Sequence, residues 1–100
     1  TGGGLVDNLH RSVPDHLCLN LDLSKIKTKN IFRWIKSNNI TDHEMIKTFN
    51  CGVGFCLIVK KQNINKIKKY FSKDYTPYQI GFISKNKNKN KINVFNKIKW

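Results

Sequence analysis

The fold of this 100-residue chain is decided by residues 17–23, which read LCLNLDL. Leucine occupies every second position of this stretch, and Cys18, Asn20 and Asp22 stand between the leucines. Because successive side chains of a strand point to opposite faces, this alternation is typical of a strand with one buried face. The sequence therefore predicts a half-buried strand, whose leucine face must be covered by neighbouring elements.

The sequence before this strand predicts a short helix that follows three glycines. Apolar residues recur at helical spacing from Leu5 to Val13, and Pro14 ends the pattern because its ring cannot continue a helix. Gly2, Gly3 and Gly4 stand directly before the predicted helix over residues 5–13. Free N–H groups and the positive end of the helix dipole attract anions at such a position. This loop is therefore suited to contact a phosphate group.

Two more helices are predicted after the strand. Within residues 30–39, Asn30 is placed to cap the start of a helix and Asn38 or Asn39 to cap its end. Its apolar stripe consists of Ile31, Trp34 and Ile35. The next helix, over residues 42–49, has two separate start signals, which are a capping box of Thr41 with Glu44 and a hydrophobic staple of Ile40 with Met45.

The remaining residues complete an α/β (α+β) sandwich, in which helices pack on a mixed sheet. Residues 51–60, CGVGFCLIVK, are a short apolar run that predicts a buried strand near the centre of the sheet, with Gly52 and Gly54 allowing close approach of another backbone. Residues 63–71 return to helical spacing. Residues 77–84 and 92–98 predict two closing strands, joined by a loop over residues 85–91.

The net charge of +13 raises the possibility of nucleic-acid binding. Lysine supplies 17 of the 19 basic residues, whereas specific nucleic-acid recognition relies on the planar fork of arginine. We therefore interpret most of the charge as solvated surface and expect no nucleic-acid partner. A small basic RNA-binding module remains the alternative, and it requires Phe55, Tyr78 and Phe82 to share an exposed sheet face. Three other aromatic residues are predicted to be in the core: Phe32, Trp34 and Phe49.

Cysteine and histidine spacing gives no catalytic or metal-binding pattern. Cys18, Cys51 and Cys56 match neither zinc nor thioredoxin spacing, so they are predicted to be reduced and partly buried. The histidines have no carboxylate or cysteine at triad or metal spacing, so a structural or solvated role is expected for them and no metal site is predicted. No run of about 18 apolar residues and no signal peptide is present. We expect a cytoplasmic protein without a membrane partner.

Three ordered blocks resemble phosphoribosylformylglycinamidine cyclo-ligase, the AIR synthetase family of purine biosynthesis. The family block T-G-G-G, followed after a few residues by N-[I/L]-x-R-x-[L/V]-P, is matched by residues 1–14. A block similar to I-F-x-W-[L/I] is matched by residues 31–35, and one similar to E-M-x-x-T-F-N-x-G-[I/V]-G by residues 44–54. Residues 1–59 are strongly family-like, whereas the Lys/Asn-rich residues 60–100 match only in their helix and strand pattern.

The resemblance implies that residues 1–100 are part of the family's C-terminal domain. Nothing resembles the D-G-V-G-T-K nucleotide signature of the family's N-terminal half. The ATP-binding domain is therefore expected to be absent, and the chain alone is expected to be an inactive fragment. The full-length enzyme would be a homodimeric ligase that uses ATP and Mg²⁺, bound mainly by the missing half, to cyclise formylglycinamidine ribonucleotide to aminoimidazole ribonucleotide, with release of ADP and phosphate.

The same resemblance identifies candidate binding residues but no catalytic acid or base. Phosphorylation of the formamide oxygen followed by ring closure requires positioning and donors aimed at developing negative charge. We expect these residues to bind substrate or phosphate: Gly2, Gly3, Gly4, Asn8, Arg11 and Asn50. Arg11 lies one helical turn after Asn8, on the same face. An ion pair is an equal alternative for Arg11, and packing is an alternative for Asn50.

Overall fold

The computed structural model describes residues 3–86 and 91–100, so the middle of the predicted 85–91 loop lies outside the described residues. The helices are α1 (Leu5–Ser12), α2 (Asn30–Lys36), α3 (Asp42–Thr48) and α4 (Ile64–Lys68). The strands are β1 (Leu17–Asp22), β2 (Gly81–Lys85) and β3 (Ile92–Phe95). Short 3₁₀ turns cover Leu23–Lys25, Lys61–Asn63 and Lys73–Tyr75.

The three strands form one mixed sheet with β1 at its centre. β1 runs antiparallel to β2, with Leu19 opposite Ile83, and parallel to β3, with Leu21 opposite Val94. The mixed sheet confirms the predicted fold class, and both closing strands are present. They lie on either side of β1 instead of beside each other.

The alternation of residues 17–23 gives β1 one apolar and one polar face. Leu19 and Leu21 are buried. On the opposite face, the Asn20 side chain donates a 2.9 Å hydrogen bond to Ser84 Oγ on β2 and accepts a 3.3 Å hydrogen bond from Asn93 on β3. Helices therefore need to cover only the leucine face of this sheet.

The helices α1 and α3 contribute to the core on this leucine face. Leu5 from α1, Leu21 from β1 and Met45 from α3 are completely buried in one cluster. The cluster also contains Leu9, Val13, Leu19, Leu23, Ile26, Cys51, Val53 and Ile98. Burial of each large aliphatic side chain contributes about 1.5–3 kcal/mol, so this cluster is the main source of stability. The helix-on-sheet arrangement is the one that the sequence predicts.

The end of the chain is attached to the same core. Ile98 is buried in it, and the Trp100 indole N–H donates a 2.9 Å hydrogen bond to Asp42 Oδ1 at the start of α3. Asp42 also pairs with Lys36 at 3.2 Å. The Lys/Asn-rich segment thus ends on the family-like part of the chain and helps to hold it.

The cysteines are reduced, as the sequence predicts. Cys18 and Cys51 are buried and Cys56 is half-buried, and none of them forms a disulfide. Burial raises the pKa of the Cys51 thiol to about 11, and burial also raises the pKa of Cys56. Because the thiolate is the reactive form of cysteine, these two side chains act as small apolar groups near neutral pH.

The prediction of a buried central strand over residues 51–60 is wrong for this structure. Cys51 and Gly52 form a turn, and residues 53–60 have no regular structure. Phe55 is 82% exposed, and Leu57, Ile58 and Val59 are exposed as well. The composition favours a strand, but a strand needs a partner for its backbone groups. β1 is the central strand of the sheet and already pairs with β2 and β3, so residues 51–60 cannot pair with it.

The second helix also differs from its prediction. Its apolar contact is made by Phe32 and Ile35, which leaves Ile31 and Trp34 exposed, so the assignment of Trp34 to the core is wrong. The helix is rotated because the Phe32 ring packs edge-on against Phe49, with centroids 6.3 Å apart.

The structure also tests the predicted caps of α2 and the predicted length of α4. Lys29, not Asn30, is the N-cap of α2, so that cap assignment is wrong. At the other end Ser37 is the C-cap, so the assignment of Asn38 or Asn39 is also wrong by position. The two asparagines form the turn that follows: Asn38 donates to the Trp34 carbonyl at 2.8 Å, and Asn39 has a positive φ of 62°. The helix predicted over residues 63–71 is shorter, and Phe71 lies beyond its end.

The start of α3 provides a test of the local signals. Thr41 Oγ1 accepts a 3.2 Å hydrogen bond from the Glu44 N–H, which confirms the predicted cap. We expect Thr41→Ala to lower the free energy of unfolding by about 1 kcal/mol, because the first turn loses an acceptor. Thr48→Ala, at the other end of the helix, is the control and should change it by less than half as much. Urea denaturation measures both, and equal losses would contradict the cap.

Candidate functional site

The glycine loop is fixed to the end of α3 by a close backbone contact. Gly4 is the N-cap of α1 with a φ of 107°, and the next residue, Leu5, donates its N–H to the Phe49 carbonyl at 3.3 Å. A Cβ added at Gly4 would overlap the Lys47 carbonyl oxygen. Gly4 is therefore required for packing and for its left-handed backbone, whatever it contributes to binding.

Gly3 lies in a different environment from Gly4. Its φ of 86° also favours glycine, but a Cβ added there would meet nothing within 4 Å, and the residue is exposed. A ligand therefore has free access to the Gly3 backbone. Gly2 lies outside the described residues. Of the two glycines of the loop that the structure describes, Gly3 is the one whose backbone is accessible.

Asn8 and Arg11 are brought together with the loop, as their spacing predicts. The Asn8 amide donates to the Gly4 carbonyl at 2.6 Å, and Asn8 Oδ1 accepts a 2.9 Å hydrogen bond from the Arg11 guanidinium. The chain of contacts runs from the loop through Asn8 to Arg11. Asn8 thus orients the arginine, which stays exposed and keeps further donors for a ligand.

An open cavity of about 320 Å³ lies beside this chain of contacts. Its lining consists of Gly3, Asp7, His10 and Arg11. The sequence analysis did not select Asp7 and expected only a structural or solvated role for His10. Asp7 lies three residues before His10 and four before Arg11 on α1, and this spacing could have identified the three side chains as one helical face. The set combines a cationic donor, an imidazole and a carboxylate, so it suits a ligand with both an anionic group and N–H or O–H donors.

Asn50 is held in a turn close to the loop. Its side-chain oxygen accepts a 3.0 Å hydrogen bond from the Gly52 N–H, and its carbonyl accepts one from Val53 at 2.9 Å. The preceding residue, Phe49, is the one that accepts from Leu5. Asn50 is therefore near the start of α1, and the contacts that it makes shape the turn.

The described part of the chain brings no metal-ligating cluster together. No group of three His, Cys, Asp or Glu side chains is close enough to hold a metal ion within residues 3–86 and 91–100. The carboxylate of Asp7 is alone in the cavity lining. The longest described helix has eight residues, and none of the described helices can span a membrane.

The aromatic residues that an RNA-binding module would need are not on one sheet face. Phe82 is exposed on β2, but Tyr78 precedes the strand and Phe55 lies outside the described strands. The Tyr78 hydroxyl accepts a 3.1 Å hydrogen bond from the Lys27 N–H, and the Lys27 ammonium lies 4.7 Å from the centre of its ring. Tyr78 is thus engaged within the chain and does not offer a free stacking surface.

Comparison with known proteins gives one family and a consistent set of relatives. Residues 1–92 match the family model described as AIR synthase related protein, C-terminal domain. The chain is 41% identical over 68 residues to the bifunctional purine biosynthetic protein ADE5,7 of Saccharomyces cerevisiae, which covers 67% of the chain and 8% of that relative. It is 39% identical over 82 residues to the trifunctional purine biosynthetic protein adenosine-3 of Gallus gallus, covering 81% of the chain and 8% of the relative.

A third relative is also a purine biosynthetic protein and is matched over a similar length. It is the bifunctional purine biosynthetic protein PUR2,5 of Pichia angusta, 36% identical over 83 residues, which cover 81% of the chain and 10% of that relative. The matched stretches thus span 8% to 10% of the length of these curated relatives.

The two described glycines of the loop allow a matched test of packing. We expect Gly4→Ala to lower the free energy of unfolding by about 3 kcal/mol, because its methyl group would overlap the α3 backbone. Gly3→Ala should lower it by only about 1 kcal/mol, the cost of the positive φ alone. Urea denaturation of the two variants compares them. Equal losses would show that the loop is not packed against α3.

Proposed function

Since this chain belongs to the family of AIR synthase related C-terminal domains, we propose that it is the C-terminal part of an AIR synthetase. The reaction is the ATP-dependent ring closure of formylglycinamidine ribonucleotide to aminoimidazole ribonucleotide, with release of ADP and phosphate. The family match confirms the resemblance that the three sequence blocks indicate. That the relatives are purine biosynthetic proteins supports the reaction proposed here.

The observation that carries the proposal is the accessible loop inside the family match. Gly3, Arg11 and the cavity between them lie within residues 1–92. The substrate has a phosphate group together with hydroxyl and N–H donors, which is the combination that a guanidinium, an imidazole and a carboxylate can bind. We assign phosphate contact to the Gly3 backbone and Arg11, and we retain Gly2 and Gly4 as loop members. Asn8 orients Arg11, and Asn50 shapes the turn beside the loop.

The nucleotide is assigned to polypeptide outside these 100 residues. Two observations support this assignment: the described residues bring no group of three metal-ligating side chains together, and the matched stretches are at most a tenth of the length of the relatives. ATP, when bound, supplies the phosphoryl group that turns the formamide oxygen into a leaving group. The role of this chain is to bind and orient the substrate. Homodimer formation and a cytoplasmic location are proposed for the whole enzyme.

A chimera tests this function. In the S. cerevisiae relative, the region that corresponds to this chain is replaced by residues 1–100 of this chain, and the product is expressed in yeast that lacks the native protein. We expect growth without added purine and formation of aminoimidazole ribonucleotide by the purified chimera. The isolated 100-residue chain should neither bind ATP in calorimetry nor form product. A folded chimera that binds substrate and ATP but forms no product would contradict the proposal.

The two arginines of the chain provide a matched pair for the binding site. In the chimera, Arg11→Ala should lower kcat/KM by about tenfold or more, because a charge-assisted hydrogen bond to phosphate is worth about 1.5–3 kcal/mol. Arg33→Ala, on the exposed face of α2, should leave kcat/KM within about twofold of the parent. Thermal unfolding checks that both variants are folded. Equal effects of the two substitutions would remove Arg11 from the site.

A further inference from the structure

A run of exposed apolar residues follows the turn after α3. We call it the 55–59 segment, and it comprises Phe55, Cys56, Leu57, Ile58 and Val59. Phe55 is 82% exposed, Ile58 54% and Leu57 47%. In the described part of the chain, none of its backbone N–H or carbonyl groups takes part in a backbone hydrogen bond. Large exposed apolar side chains and backbone groups without a partner among the described residues occur here together.

The composition of the segment is that of a strand covered on both faces. If it is extended, Phe55, Leu57 and Val59 point to one side and Cys56 and Ile58 to the other, so both sides are apolar. Strands with this pattern are normally buried between two layers. The segment therefore needs a neighbouring strand for its backbone and further cover for its side chains. In the described structure no strand pairs with it, and of its side chains Cys56 packs against the core while the four larger ones stay exposed.

The total surface area of the chain is larger than a compact protein of its size exposes. The chain exposes 7501 Å². A compact protein of 11.7 kDa is expected to expose about 5,900 Å², so the excess is about 1,600 Å². A standard protein interface buries about 800 Å² on each partner. The excess is thus about twice what one partner contributes to a standard interface.

Charge indicates what kind of polypeptide provides this cover. Residues 1–44 have six Lys and Arg against five Asp and Glu, whereas residues 45–100 have thirteen against one. The 55–59 segment is followed directly by Lys60 and Lys61. A second copy of this chain would bring two strongly basic regions together, which is unfavourable. An apolar strand with acidic flanks complements the segment in both respects.

We infer that the 55–59 segment becomes a β-strand by pairing with a strand from the remainder of an AIR synthetase polypeptide, one that is apolar and flanked by acidic residues. The inference rests on the proposed function only for the identity of this occupant. Main-chain hydrogen bonds to the added strand supply affinity, and the side chains on both faces supply specificity. The segment is therefore a docking strand for the rest of the enzyme.

Amide hydrogen exchange tests the pairing directly. It is measured by mass spectrometry on the isolated chain and on the chimera with the S. cerevisiae relative described above. The amides of residues 55–59 should exchange rapidly in the isolated chain and at least about a hundredfold more slowly in the chimera. A second measurement uses the dye 8-anilino-1-naphthalenesulfonate, which should bind the isolated chain and bind the chimera much less.

Two isoleucines of nearly equal exposure provide the matched variants. Ile58 is 54% exposed in the segment, and Ile31 is 55% exposed on α2. In the chimera, Ile58→Asn should restore rapid exchange over residues 55–59 and lower the melting temperature, whereas Ile31→Asn should do neither. In the isolated chain neither substitution should change the exchange of residues 55–59 or the melting temperature, because both isoleucine side chains are about half exposed there.

The outcomes separate this inference from the proposed function. Protected 55–59 amides in a chimera without activity would support the pairing and contradict the function. An active chimera in which these amides exchange as fast as in the isolated chain would overturn the pairing and leave the function in place. Concentration-dependent protection in the isolated chain would also overturn it, because the occupant would then be a second copy.

Discussion

The arrangement of this chain depends on the contact between the start of α1 and the end of α3. The Leu5 N–H donates to the Phe49 carbonyl at 3.3 Å, and Gly4 packs so closely on Lys47 that no side chain fits between them. This contact places the buried ends of two helices on the leucine face of β1. It also determines where the Gly3 backbone, the Asn8 amide and the Arg11 guanidinium stand. The packing of the core and the arrangement of the candidate site therefore depend on the same backbone contact, which we call the α1–α3 junction.

The contact between α1 and α3 gives the glycines before α1 different roles, although the sequence motif does not distinguish them. A run of glycines before a helix suggests that each glycine approaches a ligand. In the structure Gly4 faces protein, whereas Gly3 faces open space. Asn8 similarly uses its amide to join the loop to Arg11. Of the residues expected to bind, Gly3 and Arg11 have free access to a ligand, and the residues behind them fix their positions.

Local signals predicted most of the fold because their physical causes are local. Alternating leucines made β1, Thr41 capped α3, and Pro14 followed the end of α1. The 51–60 strand could not be predicted correctly, because strand formation depends on a pairing partner that composition does not reveal. The rotation of α2 likewise depends on the Phe49 ring, which is distant in sequence. In the site, Asp7 and His10 were missed because the motif names neither residue.

The difference between the predicted strand and the observed structure of residues 51–60 bears on how this chain is used. Its sequence favours a strand, and the described structure provides no partner for one. Residues 45–100, which include this stretch, carry +12 of the net charge of +13, and Phe55, Leu57, Ile58 and Val59 within it are exposed. A chain that folds its first half around β1 and leaves its most strand-like segment exposed has the properties expected of one part of a larger assembly. Along the chain, the candidate site residues precede the turn at Cys51 and Gly52, and the 55–59 segment follows it.

The most direct test of this account is amide hydrogen exchange at Leu5, measured by NMR on the folded chain. N–H groups in the first turn of a helix lack acceptors within the helix, so Val6 and Asp7 serve as internal references that should exchange rapidly. The account predicts that Leu5 is protected to nearly the same extent as Leu19, whose N–H bonds to the Lys91 carbonyl at 2.7 Å in the core sheet. Exchange at Leu5 as fast as at Val6 and Asp7 would contradict the junction on which the loop, the site and the core depend.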